Sequence, residues 1–220
     1  LIGPWQFEHE TPNMLALEWQ FKPDPLDEGR RQGWARDAGR PSQASEGWLP
    51  VADDACEVLL DPGKLPCYWL RTVFDLTFVP ADLELVLDAA QYGEVYLNGR
   101  PVSGARPTPL WDEANVAYAL AEHAFRGCNT LILRCRPPKY YAEGVRGNII
   151  DAHCLEPAVL CGSFRAFQRQ ALPEIVPETG EIALGAWEAQ GYPALCGTAV
   201  YQRTLHLPRL QGRYWLSLER

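Results

Sequence analysis

The sequence predicts an all-β protein, an antiparallel β-sandwich, on three observations. Several stretches alternate apolar and polar side chains with period two, the pattern of strands with one face in a core. The 220 residues include 18 Gly and 19 Pro, above ordinary usage of about 7% and 5%, which favours short strands and turns over long helices. The dipeptide Asn98-Gly99 is a hairpin signal, because both central residues of a type I′ turn need positive φ.

The elements follow in order. Over Asn13–Phe21, the residues Leu15, Leu17, Trp19 and Phe21 share one face of an expected strand. Tyr68–Phe78 places Tyr68, Leu70, Thr72, Phe74, Leu76 and Phe78 on one side and Trp69, Arg71, Val73 and Asp75 on the other. Pro80 ends it, since proline gives no ladder donor. Leu83, Leu85 and Leu87 point inward from the next strand, and Glu94–Leu97 runs into the Asn98-Gly99 turn. Val102 is short as a return strand, so a tight corner is an alternative to a hairpin there. Val116, Tyr118 and Leu120 mark a strand end, and Ala119–Phe125 reads as one short helix closed by Gly127. Leu131, Leu133 and Cys135 resume a strand that Pro137-Pro138 stops, and Ile149–Leu160 and Ser163–Gln170 give two more around Gly162. Residues 22–47 carry the weakest pattern and are expected as a long surface excursion.

Length allows one or two domains with a sizeable core. An internal repeat bears on the division. Tyr68-Trp69-Leu70-Arg71-Thr72, a Pro-bounded turn and Leu83–Leu87 compare with Tyr201-Gln202-Arg203-Thr204-Leu205, Pro208 and Tyr214–Leu218. The expectation is a sandwich over residues 1–171, followed by a linker and the first strands of a second, truncated sandwich over 172–220. The first residue is Leu1 and the single methionine is Met14, so an excised piece of a longer chain is expected.

Composition excludes several classes. Hydrophobic residues make up 47% and charged residues 22%, the balance of a globular protein rather than a disordered tail. A net charge of −8 argues against a duplex nucleic-acid partner, which demands a basic footprint. No apolar run reaches the roughly 18 residues that a membrane helix needs. The seven cysteines include no C-x-x-C pair, which suits neither a disulfide framework nor a zinc site and favours buried thiols in a reducing, cytoplasmic-type compartment. The four histidines are isolated, and no phosphate-cradling loop, G-x-S-x-G or H-E-x-x-H occurs.

Three segments carry a family resemblance. Leu1-Ile2-Gly3-Pro4-Trp5-Gln6-Phe7 resembles the L-x-G-x-W-x-F opening of the sugar-binding domains of family 2-type glycoside hydrolases. Tyr68–Phe78, Leu83–Leu87 and Glu94-Val95-Tyr96-Leu97-Asn98-Gly99 resemble their Y-x-R-x-F … v-x-L … V-x-v-N-G core. Arg126-Gly127-Cys128-Asn129-Thr130-Leu131-Ile132-Leu133 is similar to their G-x-N-x-l closing strand. The tandem arrangement also resembles rhamnosidase-type hydrolases that carry such modules after a barrel. The resemblance covers most of residues 1–135 and implies a galactose-binding-like jelly roll. It implies an accessory module of a larger glycoside hydrolase, non-catalytic in itself, that orients a catalytic domain lying outside this chain and is either purely structural or sugar-contacting. An autonomous carbohydrate-binding or adhesion module and an enzyme in its own right are the alternatives. Related modules often hold calcium, but no dense acidic loop here spells out an oxygen cage, so neither metal nor cofactor is expected.

Catalytic residues are not assigned, because glycoside hydrolysis needs two carboxylates at set separations and 28 acidic residues offer no selected pair. Sugar contact is easier to place. Aromatic rings cover the apolar face of a pyranose, while Asp, Asn and Arg bind its hydroxyls. Loop 103–113 and its flank carry Trp111, Asp112 and Asn115, and loop 139–148 carries Tyr140, Tyr141, Arg146 and Asn148. Trp34 in the 22–47 excursion is a further candidate. The plainer alternative is that Trp111 packs its loop onto the core. Trp5, Trp19 and Trp69 read as core, and Asn98 reads as a turn residue.

Overall fold

Tyr68–Leu76 is the strand on which the architecture turns. It is hydrogen-bonded along both edges, and all of its side chains but Asp75 are buried. The protein's structure, a computed structural model, describes residues 4–37, 47–51, 67–89, 92–136, 158–169, 172–206 and 213. In chain order the strands are β1 (Trp5–His9), β2 (Asn13–Ala16), β3 (Gln20–Pro23), β4 (Leu49–Pro50), β5 (Tyr68–Leu76), β6 (Glu84–Asp88), β7 (Tyr92–Leu97), β8 (Arg100–Val102), β9 (Arg106–Pro107), β10 (Asn115–Ala119), β11 (Gly127–Cys135), β12 (Val159–Gly162), β13 (Arg165–Arg169), β14 (Leu172–Val176), β15 (Glu181–Ile182) and β16 (Ala199–Gln202). One helical turn, α1 (Gly29–Gln32), precedes a 3₁₀ turn at Trp34–Arg36.

The chain folds as an antiparallel β-sandwich. A larger sheet in the order β13-β14-β5-β11-β7-β8, with β3 and β4 attached at β5, packs on a smaller one in the order β2-β12-β6-β10-β9. The shared core takes Leu70, Phe74, Leu131, Leu133 and Leu97 from the first sheet and Leu15, Leu85, Leu87 and Leu160 from the second. The inward faces expected for β5, β6 and β11 are the observed ones. Asn98 and Gly99 take positive φ of 54° and 76°, and Leu97 pairs with Arg100. The turn therefore closes a real β7–β8 hairpin rather than a corner. No described helix is long and apolar enough to cross a membrane.

Four expectations need correction. The strand expected over Asn13–Phe21 is two strands in different sheets: β2 pairs with β12, and β3 with β5. Leu15, Leu17 and Phe21 still enter one core, so alternation survives while the chain changes sheet, and pattern alone does not reveal the switch. Ala119–Phe125 is a hydrogen-bonded turn in which the N–H groups of His123 and Ala124 both donate to Leu120, and Gly127 begins β11 rather than ending a helix. Residues 172–176, expected as linker, form a hairpin strand with β13 and add in parallel to β5. Burial of Ile175 in the sandwich core accounts for their place. Finally, 181–202 returns to the start of the chain: β15 and β16 flank β1 in a third, three-stranded sheet around Phe7, Ile182 and Tyr192. The second matched strand of the repeat, 214–218, lies outside the described residues.

Candidate functional site

The outer face of the larger sheet carries a row of charged and aromatic side chains. Strand alternation turns Lys22, Trp69, Arg134 and Glu94 outward in one row across β3, β5, β11 and β7. A second row holds Gln20, Arg71, Ile132 and Tyr96. A polar outer face of a sandwich ordinarily meets water. Here the segment from Asp24 to Asp37 lies over it as a strap, so Trp69 and Arg71 are fully buried.

The strap is fixed at both ends by carboxylates. Asp24 accepts hydrogen bonds from the Trp69 indole at 2.8 Å and from the backbone N–H groups of Glu28 and Gly29 at 2.7 and 2.9 Å. It thereby satisfies orphan donors at the start of α1. Gly29 is required there: a Cβ would meet the Trp69 ring at 2.4 Å and Trp34 at 2.7 Å. At the far end Asp37 accepts from Arg71 at 3.0 Å and from the Trp48 indole. The Arg71 guanidinium stacks on Trp48 with its carbon 4.6 Å from the ring centroid, and Lys22 Nζ stands 4.1 Å from that of Trp34.

Between these ends Arg134 binds Asp27 and Glu94, and Glu94 also accepts from Arg30 and Tyr96. The hydrogen bond from Arg134 holds the Asp27 carboxyl below its ordinary value, against a smaller opposing effect of burial. Burial pushes Glu94 up, but the hydrogen bonds from Arg30 and Tyr96 and the nearby Arg134 charge outweigh it, and its value stays low. Burial draws Arg71 down, partly offset by Asp37. These are ionised, committed groups.

Asp24, Asp27 and Cys67 bring a ligand atom each within 4.8 Å of one another, a grouping the sequence reading did not find. Both carboxylates of the group already have partners. Burial pushes the Cys67 thiol up to about 11, so a metal bound there would have to displace its proton. Asp24 already accepts from three N–H groups, and Asp27 is neutralised by Arg134 and Arg136.

Beyond Asp37 the outer face continues as a groove of about 600 Å³. Ala35, Arg36 and Asp37 form one wall, and Asn98, Gly99, Phe125, Cys128, Thr130 and Ile132 form the other. Asn129, fully buried, holds the second wall. Its amide donates to the carbonyls of Phe125 at 2.7 Å and Gly127 at 2.8 Å, and its Oδ1 accepts from Phe125 N at 3.1 Å. The Phe125 ring, with its backbone clamped in this way, is 50% exposed.

The residues expected to contact sugar fall in three places. Trp111, Asp112 and Asn115 are brought together, but largely by their own loop. Asp112 Oδ1 accepts from Ala114 N at 2.7 Å, and the buried Asn115, with its amide oriented to suit its neighbours, accepts from Trp111 Nε1 at 2.9 Å. Trp111 itself is 40% exposed. Trp34 is half-buried over Trp69 on the opposite sheet, ring centroids 6.1 Å apart. Tyr140, Tyr141, Arg146 and Asn148 lie outside the described residues. Sequence reasoning missed the Asp37–Phe125 groove, since its walls come from the segment with the weakest pattern and from a turn expected as helix.

No family model and no curated relative matches the sequence. Among solved structures the chain is similar to the β-glucuronidase of Ruminococcus gnavus, with a TM-score of 0.45 and 14% identity, covering 81% of this chain and 35% of that one. It is also similar to a Lactobacillus rhamnosus β-glucuronidase, with a TM-score of 0.44 and 16% identity over 72% of this chain and 31% of that one. The chain thus spans about a third of the length of these enzymes.

Proposed function

We propose that this chain is a non-catalytic β-sandwich of a larger glycoside hydrolase, orienting the catalytic domain and contacting carbohydrate. The observation that carries the reading joins two of the segments on which the sequence resemblance rests. The Asn-Gly turn after β7 and the Gly-x-Asn start of β11 lie side by side, with Asn98 Oδ1 accepting from Thr130 N at 3.0 Å and Asn98 Nδ2 donating to Asn129 at 2.9 Å. The two motifs work as one structural unit at one end of the larger sheet.

The non-catalytic part of the reading is supported by the carboxylates of the outer face. A general acid for glycoside cleavage has a raised value, kept up by an apolar or like-charged surrounding. Asp27 and Glu94 are instead lowered by arginine partners, and Asp24 and Asp37 are taken up by indole, amide and guanidinium donors. The test compares the full-length parent enzyme with a version lacking this sandwich, on aryl-glycosides and in thermal melting. The expected result is no turnover by the chain alone and reduced activity and melting temperature in the shortened enzyme. Turnover by the chain alone, or an unaffected shortened enzyme, overturns it. In the second case, retained sugar binding by the isolated chain points to an autonomous binding module.

A further inference from the structure

The geometry points to the groove between Asp37 and Phe125 as a subsite for a pyranoside, which rests on the accessory-module reading above. Three features support this ligand class. The groove's volume, about 600 Å³, lies in the roughly 300–1,000 Å³ range of small-molecule sites. Its second wall offers a half-exposed aromatic residue at Phe125, a surface for the apolar CH face of a sugar ring. Its lining includes the polar residues Arg36, Asp37 and Thr130, residue types that donate to and accept from hydroxyls. Asp37 is paired with Arg71, so the charge left on this wall is that of the exposed Arg36.

The groove is also formed in advance. Asp37 is pinned by Arg71 and Trp48, and Phe125 is clamped from behind by Asn129. Residue 99 is glycine for its φ of 76°, and the strap lies beside it at ordinary contact distance: a Cβ there would stand 3.4 Å from Arg36 Cγ and 3.7 Å from the Ala35 carbonyl. A site whose groups are already positioned loses little ordering entropy on binding.

The experiment is a titration of the isotope-labelled full chain with cellobiose, lactose and maltose, followed by amide chemical shifts. At least one sugar is expected to shift the amides of Asp37, Gly99 and Thr130. Phe125→Leu, which keeps apolar bulk and removes the ring, is expected to weaken that binding about tenfold, the size of one lost aromatic contact. Trp111→Ala is expected to leave it unchanged. Absence of groove shifts with all three sugars overturns the inference, as does equal affinity in a folded Phe125→Leu chain or shifts that cluster at Trp111. Such a failure leaves the comparison of the full-length and shortened parent enzymes standing, so the two readings fail separately. If Phe125→Leu does not fold, Thr130→Val takes its place with the same two outcomes.

Discussion

Asn98 and Asn129 meet side chain to side chain, Nδ2 of the first donating to Oδ1 of the second at 2.9 Å, across strands that are neighbours in the sheet but about thirty residues apart in sequence. Through this contact the β7–β8 turn and the turn before β11 hold each other. Asn129→Ala removes one side chain from four hydrogen bonds at a fully buried position. An unsatisfied buried partner costs roughly 1–3 kcal/mol, so a loss of about 3 kcal/mol is expected in urea unfolding. A loss under about 0.5 kcal/mol, the size of ordinary surface changes, would show that the clamp is dispensable.

Gly99→Ala places a Cβ at φ 76°, where an L-residue costs roughly 1–2 kcal/mol. The urea midpoint should fall accordingly with the slope unchanged, because only the native turn is strained. The strap should stay in place at Arg36, because a Cβ at residue 99 meets it only at ordinary contact distance; nuclear Overhauser contacts between residues 36 and 99 can follow this.

Asp24→Ala takes the acceptor away from the Trp69 indole and from two backbone donors of α1. The strap should become open to protease between residues 24 and 37 while the sandwich remains folded. The Trp69 fluorescence should move toward that of a hydrated indole. Protease resistance equal to that of the unaltered chain would show that Asp37 alone suffices to hold the strap.

Acid should loosen the same element. Asp27 and Glu94 are lowered from ordinary values of 3.8 and 4.5. A group lowered on folding stabilises the native state above its unfolded value, and that contribution is lost as pH falls through the folded one. Stability should therefore be level above about pH 5 and decline below about pH 4, with a shallower decline in Arg134→Met. Because Asp27 is partly exposed, added salt should weaken its share.

Metal should have no effect. With Asp24 and Asp27 already partnered, neither zinc nor a chelator should move the thermal midpoint. A rise that depends on zinc concentration would reveal a site after all.

The sandwich was legible because its inner faces follow a period of two through β5, β6 and β11, and because Asn98-Gly99 admits one kind of turn. The change of sheet between Leu17 and Gln20 was not, since both strands feed the same core. The outer-face cluster was half legible. Trp69 and Arg71 stood on the correct side of their strand, but local pattern does not say that a Pro- and Gly-rich excursion will cover them. The carboxylates that hold the strap are single residues whose partners lie as far as 107 positions away, a separation no sequence window spans. For Trp111 and Asn115, composition suggested a ligand surface, whereas the hydrogen bonds tie Asn115 to its own loop.

The parallel addition of β14 to β5 has a consequence for how the gene can be divided. Glu174 and Ile175 cover the Asp75–Leu76 end of β5, and β3 covers the other end. A recombinant fragment ending at residue 171 would leave that end as bare, apolar edge backbone, a template for joining chains into insoluble aggregates. A fragment carried through Val176 keeps this edge sealed but strips β15 and β16 from β1, so a junction after Gln202 is the one that keeps both sheets intact.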